Sequence, residues 1–178
     1  MKTQLILTVL IALVLLSTTG MKAQDTTAAP VPSFRGDFLN DIKEVEQKLT
    51  DLANAIPQEK YSWRPGEGVR SISEVYMHIA ETNFMFPKFF GAKPQEGLEK
   101  DMEKTVTDKG KVLAILKQSF SYLRDAATNL SDDDLNKPVT MFGQNIIVCN
   151  VFFTTAVHMH EHLGQSIAYA RSNQIVPP

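Results

Sequence analysis

Between residues 34 and 56 the apolar side chains Phe34, Phe38, Ile42, Val45, Leu49, Leu52 and Ile56 recur at steps of three or four. That rhythm gathers all seven on one face of an α-helix and excludes the two-residue alternation of a strand. A helix with so continuous a stripe must bury it against other elements. Pro57 ends the run, and residues 61–68 (YSWRPGEG) read as a loop.

Three more segments carry the same period. The second opens at Ser71, with Glu74 three residues later, the pattern of a capping box. Its apolar side is Ile72, Val75, Tyr76, Ile79, Phe86 and Phe90; Pro87 kinks or restarts it and Gly91 closes it. Residues 93–104 read as a polar connection. The third begins near Thr107 or Asp108 and runs through Val112, Leu116, Phe120, Leu123, Ala127 and Leu130. Residues 137–145 (KPVTMFGQN) read as extended chain. The fourth covers about residues 146–172 and is apolar around much of its circumference, which marks the most buried helix or one that also contacts a second copy in a homodimer. Four helices without convincing strand alternation predict an all-α four-helix bundle.

The first residues read as an address. Lys2 precedes a 12-residue apolar run, 5–16, too short to span a bilayer and of the length of a signal-peptide core. A cleavable signal peptide over 1–23 is expected, then a disordered Thr/Ala/Pro-rich tether over 24–32 and one domain over 33–174. This predicts a periplasmic or secreted protein with no membrane anchor after cleavage. Cys149 is the single cysteine, so no intrachain disulfide can form. The net charge of −2, with no basic stripe, offers nothing to nucleic acid.

The four histidines carry the chemistry. His158 and His162 are one turn apart and share a helix face, whereas His160 points away. Two imidazoles so spaced can hold one metal ion. His78 lies midway along the second helix, on the side of Glu74, Thr82 and Met85, and completes a three-nitrogen site if the second and fourth helices are neighbours. Such a set suits a divalent cation (Zn, Ni, Fe or Mn) with a position left open for water or substrate. Glu74, one turn before His78, is the preferred orienting carboxylate, although its capping role alone would explain it. His160-Glu161 is not followed by a histidine at the spacing of the HExxH zinc proteases.

Trp63-Arg64-Pro65, then Arg70-Ser71-Ile72-Ser73-Glu74 running into Tyr76-Met77-His78-Ile79-Ala80, and finally His158, His162, Leu163-Gly164-Gln165, Tyr169 and Arg171 form a second kind of signal. Together they resemble the DinB-like superfamily of small metal-binding four-helix bundles, over about residues 34–172. The resemblance implies metal ligands at His78, His158 and His162, and excludes His160. Leu163 stands where that family often has Arg. Members with known activity include bacillithiol S-transferases and mycothiol-dependent isomerases, whose thiol cofactors are cytosolic. The resemblance therefore implies a metal-dependent hydrolase or thiol S-transferase-like enzyme acting on a small molecule. Two non-enzymatic readings stay open from the residues: a metal carrier using the run His158-Met159-His160-Glu161-His162, and a stress-associated bundle.

Overall fold

A computed structural model describes residues 33–178; the expected signal peptide and tether lie outside the described residues. Helix α1 spans Phe34–Ala55, and the Ser33 hydroxyl caps it by accepting from the Gly36 N–H at 3.1 Å. The stripe is buried from Phe38 through Ile56, while Phe34 stays exposed at the helix start. At the other end the Lys109 ammonium donates to the carbonyls of Asn54 and Ile56, which the terminating helix leaves without intrahelical partners.

Helix α2 spans Ile72–Met85 and is closed at its start by the expected capping box: Ser71 Oγ accepts from Glu74 N–H, and Glu74 Oε2 accepts from Ser71 N–H at 2.7 Å. A 3-10 turn, Phe86–Phe90, carries Pro87 and ends on Gly91 at φ 90°, where a side chain would be strained. The connection read as merely polar contains a short helix, α3 (Met102–Thr105), pinned by the buried side chains Met102 and Val106. Helix α4 spans Lys109–Thr128, with Asp108 accepting from Lys111 N–H at 2.8 Å. Helix α5 spans Val148–Ser172.

The all-α expectation needs one correction. Strands β1 (Pro138–Met141) and β2 (Gln144–Ile147) pair antiparallel, with Met141 opposite Gln144. Phe142 and Gly143 both take positive φ, 51° and 80°, the two left-handed positions of a tight hairpin turn. Each strand is only four residues long and packs one side at most, so alternation is too brief to register in the sequence. What its tertiary contacts add is Met141, buried with Phe86 and Val151 in a small cluster at one end of the bundle.

The four long helices form the bundle. Helix α1 packs against α4 and α5, and α2 packs against the same two. Helices α1 and α2, consecutive in the chain, therefore occupy one diagonal and α4 and α5 the other. Phe38 of α1 stacks on Phe152 of α5 with ring centroids 4.3 Å apart, and Asn83 of α2 donates to Ser119 of α4 at 3.1 Å in the interior. This order makes α2 and α5 direct neighbours, which is the condition the histidine site requires. On α5 the outward positions Phe153 and Val157 remain exposed. None of the described helices is long and apolar enough to cross a membrane.

Candidate metal centre

Helices α2 and α5 bring His78, His158 and His162 together, with one ligand atom of each within 4.8 Å of the others. His158 Nε2 lies 3.1 Å from His78 Nε2 and 3.1 Å from His162 Nε2. Two nitrogens bound to one ion at about 2.1 Å would sit roughly 3.0 Å apart at right angles and roughly 3.4 Å apart at the tetrahedral angle. The observed spacing falls between these values.

The opposite ring nitrogens fix the tautomers. His78 Nδ1 faces Glu103 Oε2 at 3.1 Å, and His162 Nδ1 faces Gln165 Oε1 at 2.8 Å. His158 Nδ1 faces Thr82 Oγ1 at 3.4 Å, and that hydroxyl directs its own proton to the carbonyls of His78 and Ile79. A carboxylate, an amide oxygen and a committed hydroxyl are all acceptors here, so each imidazole carries its proton on Nδ1. The three Nε2 lone pairs then point at one another with no proton between them. A cation held among them would satisfy all three lone pairs at once. The donor set therefore fits a divalent ion, and three nitrogens leave coordination positions for water or substrate.

Electrostatics favour the neutral form of His158 and His78. Burial, followed by the proximity of His162, His78 and Arg70, pushes the His158 imidazolium down to about 4. His78 is also lowered, by burial first and then by Arg70 and His162, against the opposing pull of Glu103. Burial alone would raise Glu103, but hydrogen bonding and charge from Arg70, with His78 and Lys104, hold its carboxyl below the ordinary range. At neutral pH the His78 and His158 nitrogens are thus free to bind a metal and the Glu103 carboxylate is ionised.

Glu74, the expected orienting carboxylate, contacts none of the three histidines. Its Oε2 is held by the Ser71 N–H, and its Oε1 accepts from Arg64 at 3.1 Å and Lys104 at 3.2 Å. The capping box that fixes α2 turns this side chain toward the helix start, away from His78. The carboxylate that reaches His78 is Glu103, delivered by α3 and held by Arg70 Nε at 3.0 Å, while its backbone N–H donates to Glu81. The sequence carried one faint sign of it: Met102 and Val106, an apolar pair one turn apart, bracket Glu103. Glu74 reaches this assembly only through Lys104, whose ammonium also lies 3.4 Å from Glu103 Oε1.

Gln165 meets the metal-facing ring set through His162, whose Nδ1 lies 2.8 Å from its Oε1. Its amide nitrogen donates to the Tyr169 hydroxyl at 2.9 Å, which donates in turn to the Arg70 carbonyl at 3.2 Å. Trp63 meets Tyr169 edge-on, with ring centroids 5.4 Å apart. Phe86 lies edge-on to His158 at 5.7 Å and forms an apolar floor. His160 is outside the site and pairs with Asp41 of α1 at 2.9 Å. Met159 is fully buried in the core, and Cys149 packs against that core as well. Beside the centre an open depression of about 420 Å³ is lined by Gly68, Val69, Arg70, Glu103, Lys104 and Gln165.

Solved structures share this architecture. A DinB-like protein from Bacillus cereus superposes with a TM-score of 0.71 at 17% identity, covering 80% of this chain and 95% of its own. YfiT from Bacillus subtilis, described as a probable metal-dependent hydrolase with an unusual four-helix bundle topology, gives 0.64 at 15% identity over 79% of this chain and 88% of its own. A DinB-like protein from Bacillus subtilis gives 0.62 at 16% identity over 78% and 92%. At such identities the likeness shows the fold alone. No curated protein matches the sequence. The family model described as the DinB superfamily matches residues 41–166, from the second turn of α1 to the end of the histidine-bearing face of α5, and the chain belongs to that superfamily.

Proposed function

We propose that this is an exported metal-dependent enzyme, a hydrolase or transferase that holds one divalent cation on His78, His158 and His162 and acts on a small molecule. One observation carries the metal reading: His158 Nε2 lies 3.1 Å from the Nε2 of both His78 and His162, one ligand atom of all three falls within 4.8 Å, and each Nδ1 faces an acceptor. The apolar 5–16 run behind Lys2 supports export. The description of YfiT supports the hydrolytic class.

A divalent ion bound there supplies a Lewis acid that polarises a substrate oxygen and acidifies a bound water. The protein's own residues do the rest. Glu103 holds the His78 proton on Nδ1 and strengthens its Nε2 as a donor, and Gln165 does the same for His162. Phe86 packs edge-on against His158 and gives that ring an apolar neighbour. The carrier reading loses its surface cluster, because Met159 is buried and His160 is tied to Asp41.

Elemental analysis of untagged protein tests the reading. The expected result is one Zn, Ni, Fe or Mn per chain, lost in His158→Ala. Absence of metal from the native protein, with none taken up on addition, overturns it.

A further inference from the structure

The depression beside the histidines has a cationic wall, Arg70 and Lys104, that reaches the histidines only through Glu103. Arg70 commits only Nε, to Glu103 Oε1; among the described residues its two terminal nitrogens have no hydrogen-bond partner. Its side chain is 38% exposed, so those groups face the depression and solvent. Lys104, 61% exposed, flanks it on the same wall. Arg64 is more committed, donating to the Val69 carbonyl and to Glu74.

Each nearby carboxylate already accepts at least one hydrogen bond. Glu103 accepts from His78 on one oxygen and from Arg70 on the other; Glu74 accepts from Ser71 on one and from Arg64 and Lys104 on the other; Glu81 accepts from the Glu103 N–H. Three imidazoles are neutral donors, so a bound divalent ion would keep its whole double charge. A single carboxylate, Glu103, spans Arg70 and His78, which sets the free guanidinium edge one side chain from the centre.

We propose that the Arg70 fork, with Lys104 beside it, binds an oxyanion group of the substrate, a carboxylate or a phosphate, and thereby presents the rest of the molecule to the centre. A planar guanidinium with two parallel N–H donors matches such a group, and a flanking ammonium adds charge without geometry. The substrate class is thus a small anion. This rests on the histidine reading for its catalytic meaning, but the oxyanion site itself can be measured separately.

Isothermal titration calorimetry on the full chain, zinc-loaded and chelator-stripped, tests it with inorganic phosphate and succinate as probes and succinamide as the neutral control. The zinc-loaded native protein is expected to bind at least one of the two anions and not the diamide. The tighter of the two identifies phosphate or carboxylate as the group recognised. Arg70→Gln is expected to weaken anion binding tenfold or more and Lys104→Gln by a smaller factor, read at full zinc occupancy verified by elemental analysis, because Arg70 also holds Glu103. Arg70→Lys, which keeps charge and removes the fork, is expected to lose about fivefold and carries the test should Arg70→Gln fold poorly. Failure of both anions to bind the native protein, or equal affinity in both Arg70 variants, overturns the proposal. If zinc is absent yet phosphate binds the stripped chain in an Arg70-dependent way, the metal reading falls and the oxyanion site stands. If zinc binds stoichiometrically and the Arg70 variants bind anions like the native chain, the reverse holds.

Discussion

His78 and His158 stand 80 residues apart in the chain, yet their Nε2 atoms lie 3.1 Å from each other. The contact joins two helices that a long connection separates, and it exists only because α2 packs directly against α5. Removing either ring should therefore damage the same property. His78→Ala and His162→Ala are each expected to weaken zinc binding by more than 100-fold, read by competition with a chelating dye, while His160→Ala leaves affinity unchanged. Equal affinity in His78→Ala and the native protein would refute a site shared between the helices.

Glu103→Gln keeps the shape of the side chain and removes its charge. Loss of such a partner typically lowers metal affinity by about 10- to 100-fold. That range is expected here, with little change in helix content by circular dichroism. Glu74→Gln should leave metal affinity within a few-fold, because Glu74 touches none of the histidines, and should cost helix stability instead.

Metal should stabilise the fold by mass action. At free zinc one hundred times Kd the gain is about 2.7 kcal/mol, provided the unfolded chain binds weakly. Differential scanning calorimetry is expected to show a Tm that rises with zinc and falls with chelator, and no such response in His158→Ala.

The metal-free protein should lose stability in mild acid. Burial holds His158 at about 4 in the folded chain, against about 6.5 when unfolded. As pH falls below the unfolded value, the unfolded chain takes up a proton that the folded chain refuses, so the equilibrium shifts toward unfolding. The contribution is complete above about pH 6.5 and is lost as pH falls toward 4; His78, also lowered, acts in the same direction. Urea midpoints of the stripped protein between pH 7.5 and 4.5 should fall more steeply than those of His158→Gln.

Ser71→Ala removes one half of the α2 cap and is expected to cost about 1 kcal/mol. Leu49→Ala, at a fully buried position of the α1 stripe, is expected to cost about 2–5 kcal/mol. Equilibrium denaturation measures both. A smaller cost at Leu49 than at Ser71 would contradict the packing described for α1.

The four long helices, and the face that His158 and His162 share, were legible in the residues alone, whereas the short α3 was not. Steps of three and four residues state which face of each helix is apolar, and one turn of separation states that His158 and His162 share a face, because both follow from local backbone geometry. The Ser71–Glu74 box was legible for the same reason, its partners being three residues apart. What lies across a gap follows from packing between distant segments. Which helices are neighbours depends on how four stripes share one core, and no local pattern encodes that order. Glu103 in place of Glu74, the free edge of Arg70 and the 138–147 hairpin all depend on it. Each is set by packing between distant segments: α3 is held by the burial of Met102, and the hairpin by the contact of Met141 with Phe86 and Val151.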